Sequence, residues 1–234
     1  MVAVELQRPL HAAPKGVTSI ITVFGEGRGF RGVWLLEEMG LPYRLRRVDL
    51  LAGVENDPEF LVINPAGFIP VIQDGDVTMV ESIAIMEYLM ARYGPTPLAP
   101  SPQDPAFPAY QQFLHLGEAG LAVSTYYVMN TRHRAPEAER QNWTAAYALE
   151  QFESRLALVT RQLARSPYLA GDAFTAADIS VIYALRLAQK GSGYVLGDVE
   201  LAYLARVSER EGYKRAVEAC HDTRNWWASL PTAG

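Results

Sequence analysis

Six prolines, Pro95, Pro97, Pro100, Pro102, Pro105 and Pro108, crowd one short stretch near the middle of the chain. Proline lacks an N–H and fixes φ, so neither a helix nor a central strand continues through such a segment. The 234 residues must therefore be read as two parts, each of a length that suits a small domain. Residues 1–16 read as an extension, 17–94 as an α/β domain, 95–105 as the proline-rich linker and 106–234 as an all-helical domain.

Before the linker, short β-branched runs alternate with helical ones. Val17–Phe24 reads as a buried strand. Gly25, Gly27 and Gly29 break it, and Phe30–Met39 follows as a helix closed by Gly40. Tyr43–Leu50 is a second strand, which completes a βαβ unit. Asp57-Pro58 opens a short helical or irregular stretch that ends at Asn64-Pro65-Ala66-Gly67. Phe68–Gln73 reads as a strand despite Pro70, and Asp74-Gly75 as a two-residue hairpin loop to the return strand Val77–Val80. Helix Ser82–Tyr93 places Ile83, Met86, Met90 and Tyr93 on one face. The first domain is thus βαβ-α-ββα. Beyond the linker, Ala106–Met129, Pro136–Arg165, Thr175–Gln189, Leu201–Arg210 and Tyr213–Cys220 read as helices. Phe174-Thr-Ala-Ala-Asp178 carries a capping box with a hydrophobic staple, a folding signal without catalytic weight.

Composition excludes several classes of function. Twenty-one basic against 26 acidic residues, with no Lys/Arg-dense tract, lack the electrostatic footprint of nucleic-acid binding. The single cysteine, Cys220, forms neither a disulfide nor a CxxC pair and reads as a small buried residue. No apolar run approaches the ~18 residues of a membrane helix, and Met1–Gly16 lacks the apolar core of a secretory signal. A cytoplasmic protein is expected. His115 has no acidic or Cys partner at ligand spacing, so no metal is expected. Gly25-x-Gly27-x-Gly29 lacks the full dinucleotide-binding spacing.

A proline inside a strand removes a ladder hydrogen bond. Just before a hairpin, a cis Ile69–Pro70 bond would expose the backbone of residue 69, the alternative being an edge strand with no ligand. Its neighbours extend the pattern. Asn64-Pro-Ala-Gly-Phe-Ile-Pro-Val-Ile72 together with Val80-Glu-Ser-Ile-Ala-Ile-Met-Glu-Tyr-Leu89 resembles the thioredoxin-like N-terminal domain of cytosolic glutathione transferases. Leu35-Leu-Glu-Glu-Met-Gly-Leu-Pro-Tyr43 resembles the end of that domain's first helix. Tyr168-Leu-Ala-Gly-Asp-Ala-Phe-Thr-Ala-Ala-Asp-Ile-Ser180 resembles the family's all-helical domain. The resemblance covers roughly residues 18–222.

The resemblance implies a glutathione site. Ile69, before Pro70, would bond the cysteinyl backbone of the tripeptide through its own N–H and C=O, as in strand-addition recognition. Glu81 would take the γ-glutamyl ammonium; Ser82 and the helix N-terminus would take its carboxylate. Phe68 occupies a position that is often polar in the family. The family's thiolate-stabilising Tyr, Ser or Cys is missing from Gly25-Glu26-Gly27-Arg28-Gly29-Phe30-Arg31. Glu26 falls near the usual serine position, Arg28 near the usual cysteine and Thr22 near the usual tyrosine. Arg28, loop N–H groups and the helix dipole are therefore the expected thiolate partners, the competing reading of Arg28 being a solvated surface arginine.

Tyr110, Phe113, Tyr126 and Tyr127, with His115 and Met129 nearby, are the candidates for an apolar electrophile pocket, or else for core. Trp226-Trp227 would seal a groove or an interface. The implied function is conjugation of glutathione, the co-substrate, to a small hydrophobic electrophile by a homodimer, without metal. Alternatives are another glutathione-dependent enzyme (isomerase, dehalogenase or ether-cleaving) or a non-catalytic binding or assembly protein on the same scaffold.

Overall fold

The computed structural model describes residues 20–49, 53–140, 142–223 and 225. The expected N-terminal extension, the first three residues of the first predicted strand, Leu50 and Trp226-Trp227 lie outside them. The described residues divide into two compact units, one comprising those up to Arg92 together with the segment from Arg210, the other Tyr93–Glu209.

The first unit is built on a four-stranded mixed sheet in the order β2-β1-β3-β4. β1 (Ile21–Phe24) runs parallel to β2 (Tyr43–Arg46), and antiparallel to β3 (Val71–Asp74), which pairs with β4 (Val77–Val80). The crossover is α1 (Phe30–Met39), ended by Gly40 at φ +65, with the Leu41 N–H returning to the Leu36 carbonyl at 2.9 Å. Only glycine takes that left-handed turn without cost, so the helix stops there. α2 (Pro58–Ile63) begins at Asp57, whose Oδ1 accepts the Phe60 N–H at 3.0 Å, with Pro58 already shaped for the first turn. α3 (Ser82–Tyr93) follows β4 directly.

Several of the expected boundaries shift: the second strand ends at Arg46 rather than Leu50, and the helix expected from Pro136 begins at Trp143 after a separate turn at Glu137–Glu139. The third strand begins at Val71 rather than Phe68, because Asn64 holds residues 64–68 as a turn: its Nδ2 donates to the Phe68 carbonyl at 2.8 Å and its Oδ1 accepts the Ala66 N–H at 3.2 Å. The hairpin loop is Gly75-Asp76 rather than Asp74-Gly75, since Asp74 still pairs with Val77. Phe24, Val48, Phe60 and Val71 form a core cluster against which Ile63, Ile69 and Val80 pack.

The segment after residue 210 completes this unit. On α9 (Glu211–Ala219) the Tyr213 ring meets Trp34 edge-on at 4.9 Å and Phe30 at 5.9 Å. Arg210 bonds both carboxylate oxygens of Glu38 at 2.9 and 2.7 Å, and Arg215 bonds Glu37 at 2.7 Å. Edge-to-face aromatic contacts with two charge-assisted pairs thus fix α9 on α1.

The second unit is helical: α4 (Phe107–His115), α5 (Val123–Arg134), α6 (Trp143–Leu163), α7 (Ala176–Gly191) and α8 (Asp198–Ser208). The helix expected over 106–129 is broken by a π-helical stretch at Leu116–Ala122. A Cβ on Gly117 would lie 2.6 Å from the Ser180 carbonyl carbon, so this stretch and α7 approach more closely than any other residue allows. The capping box forms as read, with the Asp178 carboxylate accepting the Thr175 N–H at 2.8 Å. Buried Asp178 also accepts the Leu169 N–H at 3.0 Å and the Tyr203 hydroxyl at 2.6 Å.

Candidate functional site

Sheet register brings three separate segments to one end of the first unit. Phe24 pairs with Val71, and Val71 pairs with Val80, so these three form a row across β1, β3 and β4. The next residues beyond that row are Gly25, Pro70 and Glu81. The glycine loop, the Ile69–Pro70 dipeptide and the start of α3 therefore leave the sheet side by side.

The Ile69–Pro70 bond is cis. Pro70 is buried and Ile69 half-buried, its side chain on the core cluster, while Phe68 remains exposed. Gly25, at φ +79, is pressed against Ile69; a Cβ there would lie 2.7 Å from Ile69 Cβ and 2.8 Å from its Cδ1. A Cβ on Gly29 would touch the Pro70 ring at 3.4 Å. The glycines that break the first strand in the sequence are what let the loop close on this dipeptide.

Glu81 is exposed and is the non-glycine residue with positive φ, +70, among the described residues. Such a backbone costs on the order of 1–3 kcal/mol and persists where the surroundings demand it. Its carbonyl opens α3 by accepting the Ile85 N–H at 2.8 Å. Ser82 is the first residue of that helix and is 3% exposed. The fully buried Arg31, from the second position of α1, donates through Nη1 to Ser82 Oγ at 3.2 Å.

All three glycine N–H groups of the loop are engaged. The Gly25 N–H donates to the Arg46 carbonyl at 2.8 Å, Gly29 to the Glu26 carbonyl at 3.0 Å and Gly27 to Thr223 Oγ1 at 3.2 Å. Three of the loop N–H groups expected to face a thiolate thus have protein partners. Glu26 is buried and turned onto the C-terminal segment, where its Oε2 accepts the Thr223 N–H at 2.6 Å. Burial pushes its carboxyl above the usual glutamate range, opposed by the backbone donors of Thr223 and Asp222. Arg28 is half-buried on the 3₁₀ turn Gly27–Gly29 that leads into α1. Thr22 is paired with Arg44 and Gln73 within the sheet.

The sequence reading missed Arg31 and Thr223. A lone cation inside the otherwise apolar run Phe30–Leu36 was the available signal for Arg31. None existed for Thr223, whose partners lie almost 200 residues away. In the second unit, Tyr110 and Phe113 are buried on α4, whereas Tyr126 and Tyr127 on α5 are 38% and 53% exposed. His115 is exposed and Met129 half-buried. Cys220 is fully buried, and burial holds its thiol well above the usual range. No helix among the described residues is long and apolar enough to cross a membrane.

Two family models match the chain: "Glutathione S-transferase, N-terminal domain" over residues 21–91 and "Glutathione S-transferase, C-terminal domain" over residues 117–218. The chain belongs to the glutathione S-transferase family. Glutathione S-transferase 3 of Schizosaccharomyces pombe is 30% identical over 174 residues, spanning 70% of this chain and 71% of that protein. Glutathione S-transferase GstB of Escherichia coli is 26% identical over 188 residues, spanning 78% and 85%. Among solved structures, the theta class glutathione S-transferase of Xanthomonas axonopodis pv. citri, crystallised with glutathione bound, superposes with a TM-score of 0.71 at 29% identity, covering 84% of this chain and 96% of that one. In this glutathione transferase, then, Gly25, Ile69–Pro70 and Glu81–Ser82 share one end of a thioredoxin-like sheet, and Arg31 sits directly behind Ser82.

Proposed function

We propose that this glutathione transferase binds glutathione at the end of the sheet where Gly25, Pro70 and Glu81 emerge, and transfers its thiolate to a small hydrophobic electrophile. The register row Phe24–Val71–Val80 carries the reading, because it aligns a backbone for the cysteinyl portion with an acid and a helix N-terminus for the γ-glutamyl end. Ile69 would supply the paired backbone bonds, with Pro70 buried behind it and exposed Phe68 at the rim. Glu81, exposed and held at positive φ, would bind the ammonium, and Ser82 the carboxylate. A free thiol near pKa ~8.5 is mostly protonated at neutral pH, so the enzyme must favour the thiolate. Arg28, on the turn that leads into α1, and the α1 N-terminus would carry that task.

Tyr126 and Tyr127 are the exposed members of the aromatic set and would meet the electrophile; buried Tyr110 and Phe113 would support them from within the helical unit. A cytoplasmic homodimer acting in detoxification, with no metal, completes the reading. Calorimetric titration with reduced glutathione tests it. Saturable binding that Ser82→Ala weakens ~10-fold, about 1.4 kcal/mol, is expected, as is a higher pKa of the bound thiol in Arg28→Ala. No binding by the native protein at millimolar glutathione would overturn the site; an unchanged thiol pKa would remove Arg28 from it.

A further inference from the structure

Ser82 does not stand alone at the start of α3. Behind it lies Arg31, fully buried on α1, with Nη1 3.2 Å from Ser82 Oγ. A guanidinium only donates, so the serine oxygen is the acceptor in this contact. A serine hydroxyl carries one hydrogen, and that hydrogen must then point away from the guanidinium. Arg31 thereby fixes the direction in which Ser82 donates. It also polarises the hydroxyl, because a donor whose own oxygen accepts from a cation is strengthened, and more so away from bulk water. The same guanidinium adds positive charge behind a helix N-terminus that already favours anions.

We propose that Arg31 is a positioning residue for the γ-glutamyl carboxylate, acting through the Ser82 hydroxyl rather than by touching the ligand. The inference rests on the glutathione reading above. Arg31 belongs to the first helix, whose N-terminus the glutathione reading assigns to the thiolate. One helix would then serve both ends of the tripeptide, through its dipole at the sulfur and through Arg31 at the carboxylate. At 0% exposure, behind a residue that is itself 3% exposed, Arg31 offers a ligand no surface of its own.

A double-mutant cycle tests this. Glutathione and γ-aminobutyryl-cysteinyl-glycine, which lacks only the γ-glutamyl α-carboxylate, are titrated into the native protein, Arg31→Met, Ser82→Ala and the double variant. Arg31→Met is expected to weaken glutathione ~10-fold while leaving the weaker binding of the analogue unchanged. In the Ser82→Ala background the Arg31 substitution is expected to add less than ~2-fold, because the group it acts through is gone. Penalties that multiply, or an equal loss for both ligands, would overturn the proposal and leave Arg31 a purely structural residue. Should Arg31→Met not fold, Arg31→Gln takes its place in the cycle: it removes the charge while keeping a polar side chain, and is expected to show the same discrimination between ligands. A native protein that binds neither ligand would refute the glutathione site itself. A native protein that binds both, with a Ser82 penalty independent of Arg31, would refute this inference alone.

Discussion

Replacing Gly25 by alanine isolates the contact on which the proposed site depends. The substitution forces a side chain onto a backbone at φ +79 and puts its Cβ 2.7–2.8 Å from Ile69 carbons. Carbon atoms prefer separations of about 3.5–4.0 Å, so the loop or Ile69 must give way by close to an ångström. The left-handed backbone costs roughly 1–2 kcal/mol and overpacking roughly 1–3 kcal/mol. Reduced freedom of the unfolded chain offsets roughly 0.4–1 kcal/mol of this. Gly75 is the natural control: it has φ +58, lies in the same unit, and its Cβ would meet nothing within 4 Å. Its replacement keeps the backbone penalty and removes the clash. Urea unfolding of both variants should therefore show Gly25→Ala less stable than Gly75→Ala by roughly 1–3 kcal/mol, the overpacking cost alone, with unchanged m-values. Glutathione affinity should fall only in Gly25→Ala, because Ile69 moves with the loop. Equal destabilisation by the two substitutions would refute the claim that the loop is pressed onto Ile69.

Arg46 bonds both carboxylate oxygens of Asp57, at 3.0 and 2.8 Å, and this pairing holds the Asp57 carboxyl below the usual aspartate range. A lowered folded pKa contributes stability that is present above the unfolded value of about 3.9 and is lost as pH falls through the folded one. Asp57→Asn keeps a helix cap, so it should cost about 1 kcal/mol near neutral pH, and the gap to the native protein should close as unfolding is measured at progressively lower pH. A gap that is constant with pH would assign the loss to something other than the ion pair. In the second unit, Tyr203→Phe removes a 2.6 Å hydrogen bond from the fully buried Asp178, with an expected loss of about 1.5–3 kcal/mol. Thermal or denaturant unfolding checks it, and a loss under about 0.5 kcal/mol would show that Leu169 and Thr175 suffice to hold the carboxylate.

What could be read from the sequence was whatever depends on neighbours a few residues away. Gly40 as a cap, the Thr175–Asp178 box, the return strand Val77–Val80 and helices α1 and α3 all follow from spacings of about a turn or a strand. The order of elements in the first unit was legible for the same reason, and Asn64 through Ser82 carried enough punctuation to suggest the site. Boundaries failed where a side chain reached back locally in a way that periodicity does not encode, as Asn64 does to Phe68. They failed again at the π-helical stretch Leu116–Ala122, within which Gly117 meets Ser180 of a distant helix at close range.

Tertiary structure alone decided the rest. It put an arginine under Ser82 from 51 residues away, turned Glu26 onto Thr223 across 197 residues, and gave residues 210–225 to the first unit through Tyr213, Arg210 and Arg215. Helix, strand and turn signals are written in φ/ψ preference and side-chain period, and both are local. The direction of a hydroxyl, the partner of a buried charge and the freedom of a loop N–H depend on which distant groups the folded chain brings within ~3 Å, and no spacing along the sequence specifies that.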